Sequence, residues 1–391
     1  MHAADGRSDS RKAHGLQPVG FGPAGPGDFA SHNIRLSPRE WLVAGAIAAA
    51  AIWLIPGLWQ RVEPFEPGPD YRIPSADSAR DLKDDYWMYR RWCRDACRQQ
   101  KILVVGDSAI WAYYVSADQS LPHYLNELAG DNRFANLGVN GTHTTALAGL
   151  VEYYGRAMAG KRVLLFCNLV WMTSTDADLQ TTPEERLNHP RLLPQFSPPI
   201  PCYKEPLEVR LGVVVQRHVS LLGWTEHLRI AYFDSGDIAA WTRDHPYANP
   251  LRAITLELPS PQEPPPDADA RPWTDKGVPP YNSPVVDSQR SIQWAAFQRT
   301  VKTLQDRGNR LFVLVGPFNE HMLTQRSRPT YQKLKSEVAA WLEEKRIPHC
   351  LPPVLPSELY ADGSHPLAAG YQELARRLWA DQSFTRFRQG D

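Results

Sequence analysis

The sequence predicts an α/β protein, with a parallel sheet covered by helices on both faces and one membrane-spanning helix ahead of it. Three observations carry this reading. From residue 101 onward, short apolar runs alternate with amphipathic ones, the pattern of buried parallel strands joined by helices. The polar residues suited to chemistry follow the ends of those runs, where the sites of parallel sheets lie. Residues 41–59, WLVAGAIAAAAIWLIPGLW, carry no charge, and at 1.5 Å per residue they match a hydrocarbon core of roughly 30 Å.

Taken in order, residues 1–36 are rich in Gly, Ser, Pro and charge, and read as a disordered cytoplasmic tail. The span is expected over residues 37–60. Ser37-Pro38-Arg39-Glu40 has the form of a capping box with Pro at the first helical position. Trp41, Trp53 and Trp59 suit the interfacial belts. Arg7, Arg11, Lys12, Arg35 and Arg39 precede the span, and Arg61, Arg72 and Arg80 follow it among several acids. That bias puts the N-terminus in the cytoplasm and the bulk of the chain outside, in the periplasm if the cell is bacterial. A cleaved signal peptide fits less well, because residues 55–60 (IPGLWQ) offer no small-x-small cleavage site.

Residues 61–99 read as a Pro-rich extended linker, to about residue 80, followed by a leading helix. The main α/β domain is expected over 100–385. Its strands are 102–105, 134–137, 163–166, 311–315 and a weaker one near 349–351. Its helices are 108–128, 142–158, 288–307, 331–345 and 367–381. Between residues 174 and 287 the alternation stops, and 18 of the chain's 35 prolines fall between Thr181 and Asp287. This reads as an insertion that covers or flanks the site, with one long helix at 207–230. That helix is apolar enough to lie on a membrane surface, with core packing the preferred reading.

The chain has 43 basic and 43 acidic residues, so global charge gives no reason to expect nucleic acid as a partner. The five cysteines, Cys93, Cys97, Cys167, Cys202 and Cys350, form no CxxC or Cys/His zinc pattern. No metal or organic cofactor is implied. Outside the cytoplasm, Cys93–Cys97 and Cys202–Cys350 are candidate disulfides, and the odd count leaves at least one thiol unpaired.

The chemistry concentrates in two stretches. A strand-like run ends in Gly106-Asp107-Ser108, and near the C-terminus stands Asp362-Gly-Ser-His365-Pro366. A serine hydroxyl is a weak nucleophile without a base. His365 is suited to accept its proton, and Asp362 to fix the imidazole tautomer. Asp107 reads as a structural residue of the turn, and Pro366 as the first residue of the following helix. Gly316-Pro-Phe-Asn319-Glu-His321 is a second polar cluster at a strand end. It makes His321 a rival base, and Asn319 and His321 candidate substrate contacts. His143 reads as a surface histidine.

Gly106-Asp107-Ser108 resembles the first block of the SGNH/GDSL hydrolase superfamily. Asn136-Leu-Gly138-Val-Asn-Gly141 is similar to the second block, Asn168 falls where the third-block asparagine lies, and Asp362-Gly-Ser-His365-Pro is similar to the last. The resemblance covers roughly residues 100–170 and 290–380. It implies a flavodoxin-like three-layer α/β/α fold, catalysis by Ser108, Asp362 and His365, and an oxyanion hole formed by Ser108, Gly141 and Asn168. The third block departs from the family pattern, because Phe166-Cys-Asn168-Leu169 lacks its usual Gly and Asp. The resemblance implies a serine ester hydrolase or O-acyltransferase acting through an acyl-serine, on O-acyl groups of envelope carbohydrate. The alternatives are a non-catalytic binding module of the same fold and an accessory subunit partnered with a membrane acyltransferase.

Overall fold

Five apolar segments form the sheet. They are β1 (Ile102–Gly106), β2 (Phe134–Gly138), β3 (Arg162–Cys167), β4 (Arg310–Val315) and β5 (His349–Cys350). All four pairings are parallel, in the order β2-β1-β3-β4-β5, the doubly wound order whose switch point lies between β1 and β3. The computed structural model describes residues 37–75, 82–258, 264–265 and 268–390. The expected tail, 1–36, lies outside the described residues.

Strand residues alternate between two cores, as a period of two requires. Leu103, Val105, Leu137, Val163, Leu165 and Val313 face one core. Ile102, Val104, Phe134, Leu164, Phe312 and Leu314 face the other. The helices are α1 (Pro38–Val62), α2 (Tyr86–Arg98), α3 (Ser108–Trp111), α4 (Leu121–Ala129), α5 (Thr144–Gly149), α6 (Leu207–His218), α7 (Ser220–Tyr232), α8 (Ile238–Asp244), α9 (Ile292–Asp306), α10 (Arg328–Glu344), α11 (Ala368–Ala380) and α12 (Gln382–Gln389). Helices α2, α5, α9 and α10 supply the first core and α3, α4, α11 and α12 the second, giving three layers.

The chain divides into two compact units, one ending at Ala51 and the other running from Ile52. Helix α1 begins in the first. Its capping box is formed: Ser37 N–H donates to Glu40 Oε2 at 2.6 Å, and Glu40 N–H donates to Ser37 Oγ at 3.4 Å. With a mean hydropathy of 2.0 over its best window, α1 is long and apolar enough to cross a membrane.

Several expectations change. The 108–128 helix is three pieces: α3, a 3-10 turn at Ala117–Gln119, and α4. Ala112 stops α3 by entering the left-handed region at φ 70°. The 207–230 helix is broken at Val219, whose backbone is extended. Helix α11 starts at Ala368, one residue later than the expected 367, and leaves Pro366 outside it, because Leu367 N–H is taken by Leu359 C=O and Pro366 forms a short bridge with Tyr360. Helix α12 adds to the second core where no helix was expected. The cysteines are all free. Cys202 packs in the first core and Cys350 against the second, so the sheet separates them.

The segment expected as a linker is docked as far as it is described. Arg72 is fully buried beneath α3 and donates to the carbonyls of Trp111, Ala112 and Val115 at 2.6, 2.8 and 3.0 Å. Its guanidinium lies 3.8 Å from the centre of the Trp111 ring, and the indole N–H of Trp111 returns a bond to Ile73 C=O.

Candidate active site

Strand β1 ends at Gly106, a position that only a residue without Cβ fits. A methyl group would lie 2.4 Å from Ile110 Cγ1 and 2.8 Å from Phe166 Cβ. This close approach lets α3 start directly over the sheet and lifts Ser108 to the strand's C-terminal edge. Asp107 caps α3, accepting from Ala109 N–H at 2.9 Å. From the same face of the sheet, Tyr371 of α11 holds α3 by donating to Ala109 C=O at 2.6 Å.

Ser108 Oγ lies 2.8 Å from His365 Nε2, and His365 Nδ1 lies 2.8 Å from both carboxylate oxygens of Asp362. With the Nδ1 proton given to Asp362, Nε2 keeps a lone pair facing the serine hydroxyl. Asp362 Oδ1 also accepts from the backbone N–H groups of Ser364 and His365, both at 2.9 Å. Burial alone would raise the Asp362 carboxyl, but the His365 charge and these amides hold it well below the usual carboxylate range. Burial also works against a charged His365, and the Asp362 carboxylate outweighs it, so the imidazole is raised.

Asn168, directly after β3, donates its amide to Asp107 Oδ2 at 2.7 Å. The Trp171 indole N–H donates to the same oxygen at 2.9 Å. Burial pushes Asp107 up, against the pull of these donors. Asp107 is therefore the hub that ties the ends of β1 and β3 together. Gly141, after β2, sits at φ +74°, a conformation that strains any residue with a Cβ. Neither the Ser108 nor the Gly141 N–H donates to another backbone group among the described residues.

The second polar cluster lies behind the triad. Asn319 is fully buried, and its side-chain amide donates to Asp362 C=O at 3.1 Å while its N–H donates to Gly363 C=O at 2.8 Å. His321 Nε2 is engaged with Leu355 C=O at 3.0 Å, and it is His365 that meets Ser108. His143 is buried rather than on the surface. It caps α5 through Nδ1, and burial drives it down to about 3.

Sequence reasoning missed the aromatic wall. The rings of Tyr113 and Tyr114 lie 6.0 and 5.5 Å from that of His365, and Lys276 of the insertion sits 4.5 Å over Tyr114. A run of two tyrosines just beyond Gly-Asp-Ser was the available signal. The insertion also reaches the Gly141 loop. His189 Nε2 bonds Asn140 C=O at 2.7 Å, and its Nδ1 lies 2.9 Å from both Asp84 Oδ1 and Tyr86 Oη. Among the described residues no group of three or more His, Cys, Asp or Glu forms a metal site. No protein-family model matches the chain, and no curated protein matches it.

Proposed function

We propose that the protein is a membrane-anchored serine ester hydrolase or O-acyltransferase acting through an acyl-serine intermediate. The observation that carries this reading is the continuous relay from Ser108 through His365 to Asp362, each contact at 2.8 Å. His365 takes the Ser108 proton as Oγ attacks the ester carbonyl, and then gives it to the departing alcohol. The acyl-serine is resolved by a second nucleophile, which His365 deprotonates in turn. Water gives hydrolysis, and a sugar hydroxyl gives transfer.

The N–H groups of Ser108 and Gly141 and the second amide hydrogen of Asn168 are assigned to the oxyanion. One such donor lowers the barrier by about 3–4 kcal/mol. The N-terminus is assigned to the cytoplasm and the domain to the outside, where O-acyl groups on envelope carbohydrate are the substrate class. An aryl-acetate assay and a fluorophosphonate probe test the reading together. Wild type is expected to hydrolyse the ester and take the label on Ser108, with Ser108→Ala at least ~10⁴-fold slower. An unlabelled Ser108 in folded protein favours a non-catalytic binding module instead.

A further inference from the structure

Helix α6 presents its apolar face outward. Leu207, Leu211 and Val215 follow at i, i+4 and i+8, so they share one face, and they are 61%, 49% and 49% exposed. Leu222 of α7 is also exposed. The opposite face of α6 is fixed in place. Val213 and Arg217 are buried there, and the Arg217 guanidinium donates to Arg191 C=O at 3.0 Å and Leu193 C=O at 2.6 Å. Turning the leucines inward would break those bonds and strand a buried charge. An apolar stripe held outward in this way marks a surface that something apolar covers.

The neighbouring element indicates what the cover is. Helix α7 follows α6 after a single residue and is bonded to the end of α1. The Trp224 and Trp59 rings meet edge-on at 5.6 Å. His227 Nε2 and Tyr232 Oη contact Glu63 Oε1, one residue past α1, at 2.8 and 2.6 Å. In the same stretch of α1, Trp53, Leu54 and Leu58 are exposed. The apolar stripe of α6 and Leu222 of α7 thus stand next to a contact with the end of α1, whose own exposed apolar residues belong to the helix suited to cross a membrane.

We propose that Leu207, Leu211, Val215 and Leu222 rest on the lipid bilayer that α1 enters, with α6 lying in the lipid–water interface. The proposal rests on α1 being a membrane anchor and is independent of the chemistry at Ser108. No Lys or Arg of α6 is exposed, and Arg210 lies over the Phe196 and Tyr203 rings. Exposed Glu208 flanks the stripe at the start of α6 and exposed His218 at its end, so the apolar contact is made by the leucines and Val215 between them, and neutral lipid suffices.

The test uses the full chain in phosphatidylcholine vesicles containing a nitroxide-labelled lipid. An environment-sensitive fluorophore is placed at Leu211→Cys or Val215→Cys in a Cys350→Ser background. Leu54→Cys reports insertion of the anchor, and Lys302→Cys, on the exposed side of α9, is the reference. The expected result is quenching at residues 211 and 215 at least threefold above that at 302, unchanged by raised salt, with strong quenching at 54. Equal quenching at 211, 215 and 302 overturns the proposal even when residue 54 is quenched. An unquenched residue 54 overturns it through the anchor. A blue-shifted but unquenched signal at 211 that fades as protein is diluted in lipid assigns the stripe to a second copy of the chain, and also overturns it.

Discussion

His365 is pulled two ways. Burial disfavours its charged form, and the Asp362 carboxylate against Nδ1 favours it more strongly, so its proton is held above the ordinary histidine value of about 6.5. A general base must be neutral to act. The acid limb of kcat/KM for ester hydrolysis should therefore have its midpoint above pH ~6.5. Asp362→Asn removes the raising partner and leaves the burial. A pH–rate profile should then show kcat lowered by about 10⁴-fold, with the acid limb moved to lower pH. A limb that stayed in place would separate His365 from the ionisation that controls the rate. Asn168 gives a second residue-scale prediction. Asn168→Ala should lower kcat by about 10²–10³ with little change in KM, as for loss of an oxyanion donor. If KM rises instead while kcat holds, the amide binds substrate or merely keeps Asp107 in place. These residues were legible because each stands in a short local motif. Tyr113, Trp171 and Lys276 were not, since what they contribute is a position beside His365 or Asp107 that only the folded chain supplies.

Strands were legible to within a residue or so because buried parallel strands are continuous apolar runs, and β1 to β4 are buried along nearly their whole length. Helices were less so where a tertiary contact overrides the local pattern. The run after Ser108 looks like one helix, yet α3 ends after a single turn, where the carbonyls of its last residue, Trp111, and of Ala112 and Val115 beyond it face Arg72 rather than a next turn's amides. Arg72 comes from a Pro-rich stretch that composition alone assigns to a linker. Its bonds carry a full charge and satisfy three carbonyls, and a hydrogen bond to a charged group contributes about 1.5–3 kcal/mol. Arg72→Ala should therefore destabilise the domain by about 3 kcal/mol or more, read as a lower denaturation midpoint at unchanged m-value. It should also slow probe labelling of Ser108, since α3 carries Ser108, the proposed nucleophile. A variant that loses stability but labels at the wild-type rate would show that the strap supports the fold without setting the serine.

The insertion is bound into the whole molecule through buried charge, and this was invisible in sequence because the partners lie far apart along the chain. His227 of α7 sits between Glu63 Oε1 at 2.8 Å and Asp85 Oδ2 at 2.7 Å. Arg91 is the second cation at Glu63, Tyr232 donates to the same carboxylate, and the Trp87 ring stacks 6.3 Å away. Burial would lower His227, but the two carboxylates outweigh it and push it up to about 9. In the unfolded chain the imidazole returns to about 6.5. The folded state therefore binds the extra proton between these values. His227's contribution to stability is complete below pH ~6.5 and is lost as pH rises through about 9. The melting temperature of the full chain should accordingly fall between pH 7 and 9.5. In His227→Gln, which keeps polar atoms at the site without the charge, the melting temperature should start lower and change less over the same window. Lys, Tyr and Cys titrations are common to both proteins, so the difference between the two curves isolates the imidazole. Parallel curves would mean that His227 does not carry the extra proton in the folded state, and that α7 is held against the end of α1 by the Trp59–Trp224 contact and its apolar neighbours.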